Sequence, residues 1–256
     1  MISEKDSLVL FKFSEHRWIN SIQEGNISFA CPGRYIEIAK KTGNNEQGDI
    51  DEGVFARLKK GDPRISECTE KLKDDLEIID ENNGYVKLRR KSSYFIPTFC
   101  FYSYRGMDLL SDREEEYGEQ YVSHFFDNKM FDGFSNYKFR NVLSNNFYPA
   151  SLFIKSKPFI IQLKQELSRL GIRSETRHIN YTEFENDEFF ITPDEKRSEL
   201  FYKFPKYKYQ KEARVCLHDN PLEKIDDRFN INIGSLTHSK LFTKEVYFKV
   251  KARIEK

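Results

Sequence analysis

Twenty-three phenylalanines and 14 tyrosines are scattered through a chain of 256 residues in which 32% of positions are charged. Chains that stay disordered are poor in aromatic rings, so these rings need a core, and their spacing decides its form. Nowhere do apolar residues run on for the ~20 positions that span a bilayer, so no membrane partner is expected. The length is near the upper end for one hydrophobic core. No repeat, low-complexity linker or composition shift divides it, and a single α+β domain over residues 1–256 is the economical expectation.

Forty-two Lys plus Arg against 41 Asp plus Glu leave a net charge of +1. Bulk electrostatics therefore give no argument for nucleic acid, although local basic stretches still count. Residues 1–6 are charged and lack the apolar centre of an export signal, which points to the cytoplasm. Cys31, Cys68, Cys100 and Cys216 are far apart, and only Cys216 and His218 lie close together. Two ligands do not make a zinc site, and the histidines form no H-E-x-x-H pattern. Free buried thiols and no metal are the expectation.

Leu8–Phe13 reads as a buried strand, after which Ser14 can cap a helix with Trp18, Ile19 and Ile22 on one face and Gly25 at its end. Ile27–Ala30 reads as the next strand. Residues 31–62 have no clear period and five glycines, and read as a long loop with at most a short helix over Val54–Leu58. Ile65, Cys68, Leu72 and Leu76 predict a surface helix. The Asn82-Asn83-Gly84 turn leads to a strand over Tyr85–Arg89, and Tyr94–Tyr102 is β-prone around Pro97. Asp112 can cap a helix that stacks Tyr117, Tyr121 and Phe125. Phe147–Ile154 predicts a strand, and Pro158 opens a helix with a stripe of Ile160, Leu163, Leu167 and Leu170, ended by Gly171. Strands are then expected at Ile179–Tyr181, Phe201–Phe204, Ala213–Leu217, Phe229–Ile233 and, from strict alternation, Val246–Ile254.

No P-loop, G-x-G-x-x-G, G-x-S-x-G or kinase signature is present. Two stretches carry a resemblance instead. Leu10-Phe11-Lys12-Phe13-Ser14, then a helix, then Ser21-Ile22-Gln23-Glu24-Gly25-Asn26-Ile27 resembles the opening of many bacterial ADP-ribosyltransferase-type domains. There, a strand ending in an aromatic and a Ser or Thr leads to a helix, I-x-x-G and a second strand. Phe201-Tyr202-Lys203 through Tyr209-Gln210-Lys211-Glu212-Ala213-Arg214-Val215 resembles the late strand of that class, whose Q-x-E or E-x-E motif places the catalytic glutamate. A poorly characterised bacterial family that opens the same way places strands at the equivalents of Phe99–Ser103 and His178–Tyr181. It carries Asp-Pro-x-Glu where this chain has Gly48-Asp49-Ile50-Asp51-Glu52-Gly53, and a late E-x-E-x-R that Lys203–Arg214 follows loosely. Lys12 stands where one transferase subclass has His and another Arg.

The resemblance implies a split, mostly antiparallel β core flanked by helices, and breakage of the nicotinamide–ribose bond of NAD with transfer of ADP-ribose to a nucleophile. NAD is then the substrate and no metal is needed. The oxocarbenium-like transition state is positive, and a carboxylate beside the ribose stabilises it. Glu212 takes that role. Gln210, two residues earlier on the expected strand, shares its face and can hold the acceptor. Lys12, Phe13, Ser14, Arg34, Tyr102 and Ser103 are the NAD-binding candidates, with Phe13, Tyr102 and Tyr104 offering rings and Lys12 and Arg34 offering charge to the pyrophosphate. Core packing, helix capping and a solvated surface account for these same residues.

Lys203, Lys206, Tyr207 and Lys208 interleave cations and rings in the way that grips single-stranded RNA or DNA. Lysines guarding a sheet edge produce the same pattern. The expectation is a bacterial or phage-type toxin or phage-defence effector that modifies a macromolecule, nucleic acid ahead of protein, with an antitoxin or inhibitor protein as a further partner. The alternatives are a non-catalytic nucleotide- or partner-binding module on the same scaffold, and a metal-dependent nuclease using Asp49, Asp51 and Glu52.

Overall fold

The computed structural model describes residues 7–43, 48–105, 115–117, 121–125, 149–182, 188–242 and 249–253. From the N-terminal side run β1 (Ser7–Glu15), α1 (His16–Gln23), β2 (Asn26–Phe29), α2 (Pro32–Thr42), β3 (Val54–Lys59) and α3 (Pro63–Leu72). β4 (Leu76–Asp80), β5 (Tyr85–Arg90), β6 (Thr98–Arg105), β7 (Glu115–Tyr117) and β8 (Tyr121–Phe125) follow. Next come β9 (Pro149–Lys155), α4 (Ser156–Arg169), β10 (Ser174–His178), β11 (Asn180–Tyr181) and β12 (Phe189–Phe190). The last are β13 (Tyr202–Lys203), β14 (Glu212–Leu217), β15 (Phe229–Asn232), β16 (Ser239–Phe242) and β17 (Lys249–Arg253). The structure is mixed α and β, and the described strand pairs are antiparallel except for β11 with β13.

The main sheet has the order β10-β14-β6-β1-β9-β16. The runs expected at its centre, in β1 and β14, therefore lie on either side of β6. Alternation along these strands sorts side chains by face. Leu10, Phe99, Phe101, Leu152, Ile154, Ala213, Val215 and Leu217 join one core with Ile19 and Ile22 of α1 and Phe159, Leu163 and Leu167 of α4. In register on the other face, Glu212 stands opposite Tyr102, and Tyr102 opposite Phe11. A second, four-stranded sheet of order β12-β3-β5-β4 packs on α3 around Phe55, Leu58, Cys68 and Leu88.

A third ladder pairs β2 with β15. It meets the main sheet at a bridge between Ala30 and Thr98, where Ala30 N–H donates to the Thr98 carbonyl at 3.1 Å. Ile27 and Phe29 of β2 enter the main core, while Asn26 and Ser28 line a cleft with residues of β1 and β6. Two glycines hold the walls at close range. Gly25 has φ +95°, and a Cβ there would overlap the Gly234 carbonyl; a Cβ on Gly48 would collide with backbone of Tyr35 and Ala39 in α2.

Several expectations are corrected. The supposed loop 31–62 contains α2, opened by Pro32 and ended by left-handed Gly43, and β3 replaces the short helix expected over Val54–Leu58. Both faces of β3 are largely buried, which erased the period-2 signal. The helix expected after Asp112 is a pair of strands over its described part: β7 and β8 are antiparallel with Tyr117 in register with Tyr121, so a spacing of four spans a hairpin as well as a helical turn. Leu76 begins β4, where it was expected to extend α3. Trp18 is 53% exposed, so α1 buries Ile19 and Ile22 without it. Ser14 still belongs to β1, one residue short of its last position. Phe159 of α4 is buried, and Leu170, just past the helix end, is exposed. Lys203–Tyr209 is no continuous edge strand: Lys203 ends the short β13, Pro205–Gln210 forms a 3-10 helix, and the late strand starts at Glu212. Of the final alternation, residues 249–253 are described and form β17.

Candidate active site

The cleft measures about 1200 Å³. At its foot lies Glu212, the first residue of β14 and 8% exposed. Its Oε2 accepts from Lys203 Nζ at 2.6 Å and its Oε1 from Arg214 Nε at 2.8 Å. Its backbone N–H donates to the Tyr181 hydroxyl oxygen at 2.9 Å. Lys203 also donates to Gln210 Oε1 at 3.0 Å, so one ammonium ties both residues of the Q-x-E motif together. They meet through that bridge and not through a shared strand face, because Lys211 between them is left-handed with φ 38°.

Arg214 extends the network to Glu52, on which its Nη2 closes at 3.2 Å while Nη1 bonds the other oxygen and the Leu200 carbonyl. Burial by itself would raise the pKa of Glu212. Arg214 and Lys203, with a hydrogen bond from Cys100, reverse that and hold it well below the usual carboxylate range. Burial works against the charge on Lys203 too, but Glu212 and Glu52 keep it firmly protonated.

Asp49 lies in the same cleft, 3% exposed, and is driven the other way. Burial, followed by the charge of Glu52, pushes it up to about 6, against the pull of Lys203. Its Oδ1 accepts from the Asp51 N–H at 2.9 Å. Asp51 itself pairs with Lys87. Among the described residues no three or more His, Cys, Asp or Glu group together in a way that could hold a metal ion.

Above Glu212 stands a wall of rings. Phe11 and Phe13 are stacked with centroids 6.2 Å apart, and Tyr102 meets them edge-on at 5.8 and 6.5 Å. Cations occupy other parts of the lining. Lys12 donates to the Cys100 carbonyl and sits 4.6 Å from the Phe99 ring centre. Burial lowers its pKa, opposed by Cys100 and Glu212. Arg34 pairs at 2.8 Å with the exposed Asp226, and burial together with Arg34 lowers the pKa of Arg228. Trp18, stacked on by Arg17 at 4.7 Å, contributes an exposed indole.

Of the residues predicted from sequence, Lys12, Phe13, Ser14, Arg34, Tyr102, Lys203, Gln210 and Glu212 line this cleft. Ser103 is fully buried and does not line it. Tyr104 is 1% exposed, a core ring. Lys203 turns inward to Glu212, away from any surface track. Tyr207 is 3% exposed beneath Lys206, whose Nζ lies 4.9 Å from its ring centre. Lys206 and Lys208 remain exposed, outside the cleft lining. Sequence reasoning gave no role to Arg214, Tyr181, Cys100 or Arg228, and read Asp49 and Glu52 as part of a loop matching Asp-Pro-x-Glu and as possible metal ligands. Arg214 carried a signal, a lone charge inside the apolar run Ala213–Leu217. No family model, curated protein or solved structure matches the chain. Among the described residues no helix is long and apolar enough to cross a membrane.

Proposed function

We propose that the cleft binds NAD and that the protein is a mono-ADP-ribosyltransferase on an ADP-ribosyltransferase-like scaffold. One observation carries the reading: a carboxylate held ionised by two cations sits at the foot of a stacked aromatic wall in a cleft large enough for a dinucleotide. Ligand pockets commonly measure about 300–1,000 Å³.

The rings of Phe11, Phe13 and Tyr102 receive the nicotinamide end. Lys12, Arg34 and Arg228 offer charge-assisted hydrogen bonds to the pyrophosphate. Asn26, Ser28 and Asn230 supply polar groups along the opposite ladder. As the glycosidic bond breaks, its electron pair leaves with the nicotinamide nitrogen and positive charge develops at C1′. Glu212 faces that charge from a preorganised site. Its depressed pKa makes it a weak proton acceptor, so its part is electrostatic. Gln210, held by Lys203, orients the incoming acceptor. Exposed Lys206 and Lys208 beside it favour a single-stranded nucleic acid in that place, in keeping with a toxin or phage-defence effector.

The test is incubation of the protein with labelled NAD and cell lysate, wild type against Glu212→Gln. Nicotinamide release and labelled macromolecule are expected from the wild type, with a loss of about 10²-fold or more in the variant. Near wild-type turnover in a folded variant rejects Glu212. A second reading has its own observation: both Glu212 oxygens already have partners. A non-catalytic nucleotide-binding module fits that arrangement, and would bind NAD while releasing no nicotinamide.

A further inference from the structure

Resting on the transferase reading, we propose that Asp49 is the general base that takes the proton from the nucleophile attacking C1′. Two carboxylates in one cleft have been driven apart by their surroundings. Glu212 contacts two cations and is held ionised, whereas Asp49 is buried next to a like charge. Opposed environments of this kind divide the work in carboxylate enzymes: one group stabilises charge and the other moves a proton.

Geometry places Asp49 for it. Gly48 is wedged against α2, and Glu52 is locked onto Arg214, so the intervening turn has both ends anchored. Asp49, Glu52, Lys203, Gln210 and Glu212 all line the one cleft, so the anchored turn presents Asp49 to the same space as Glu212 and Gln210. The charged and titratable groups facing Asp49 are Glu52 and Asp51 from its own loop, Lys203 from β13 and Tyr207 from the 3-10 helix. None is placed to remove its charge outright: Lys203 is already bonded to Glu212 and Gln210. Asp49 is thus ionised at neutral pH yet more basic than an ordinary carboxylate.

The step balances. The acceptor's lone pair forms the new bond to C1′, the nicotinamide nitrogen keeps the electrons of the broken bond, and the acceptor's proton moves to Asp49 and then to solvent. Azide, an anion with no proton to lose, needs no base.

The experiment measures nicotinamide release from NAD against pH for wild type, Asp49→Asn, Asp49→Ala and Glu212→Gln, each with and without azide, alongside NAD binding. Wild-type turnover is expected to fall as pH drops through about 6. Both Asp49 variants should bind NAD, turn it over about 10²-fold more slowly at pH 7.5 and lack that limb. Azide should restore their turnover but not that of Glu212→Gln. Asp49 variants with wild-type rates, an unchanged limb or no azide response overturn this role while leaving the transferase reading standing. A wild type that releases no nicotinamide overturns both.

Discussion

Glu52 and Arg214 form a two-point ion pair with both side chains 2% exposed, joining positions 162 residues apart. Removing one partner of a buried pair strands the other charge without solvent. Glu52→Gln should therefore lose about 3–5 kcal/mol, read as a lower midpoint in urea denaturation. Arg214→Met should lose more still, because it strands Glu212 as well as Glu52, and losses no larger than those of an exposed substitution would contradict this account.

Glu212 and Asp49 should affect stability with opposite dependence on pH. The folded pKa of Glu212 lies below the ordinary value of 4.5, so it contributes stability above that pH and loses it as pH falls toward the folded value. Glu212→Gln should be less stable than wild type at pH 7, with the gap closing in acid. Asp49 has a folded pKa raised from 3.8 to about 6, so it costs stability above about pH 6 and nothing below about 3.8. Asp49→Asn should gain up to about 3 kcal/mol at pH 7.5 and nothing at pH 3.5. Urea titrations at several pH values measure both, and a gain that persists in acid would refute the linkage.

Trp18 is the sole tryptophan of the chain and lines the cleft. Nucleotide entering it should quench or shift the indole emission, and stacking of a base on an aromatic ring contributes about 1–3 kcal/mol. Trp18→Ala should then weaken NAD binding by roughly tenfold or more. Unchanged emission at saturating NAD would place the ligand elsewhere.

Lys206 and Lys208 are exposed on the 3-10 helix that ends at Gln210. Replacing both with Ala should reduce transfer to single-stranded nucleic acid while sparing hydrolysis of NAD. Only two phosphate contacts are involved, so the salt dependence of acceptor binding should be shallow. Label entering protein alone would contradict the acceptor assignment.

Strands written as apolar runs were the legible part, even β14, which is buried on both faces. β1, β5, β9 and β14 were placed within a few residues because apolar runs bounded by polar residues or turns have few other readings. β3 and α2 were missed for opposite reasons. β3 is buried on both faces, so it shows no alternation, while α2 hides between glycines that suggest loop. Glu212 and Gln210 stood out through the resemblance of their stretch to a Q-x-E motif. Their partners did not, because nothing local connects Glu52 to Arg214 or Lys203 to Glu212 beyond complementary charge. The misread lysines belong to two elements: Lys203 ends β13 and pairs with Glu212, whereas Lys206 and Lys208 lie exposed on the 3-10 helix over Pro205–Gln210.

The charged floor of the cleft is collected from the loop at residues 49–52, from Lys203 of β13 and from the start of β14. On the ribosome, a growing chain carries Asp49 and Glu52 long before it has anything to hold them. Its late strand must insert between β10 and β6, a pairing of high sequence separation that forms slowly. Until residues beyond 214 have emerged, Glu52 lacks its arginine and the cleft lacks part of its floor. On the transferase reading proposed above, chains interrupted before that point carry no activity.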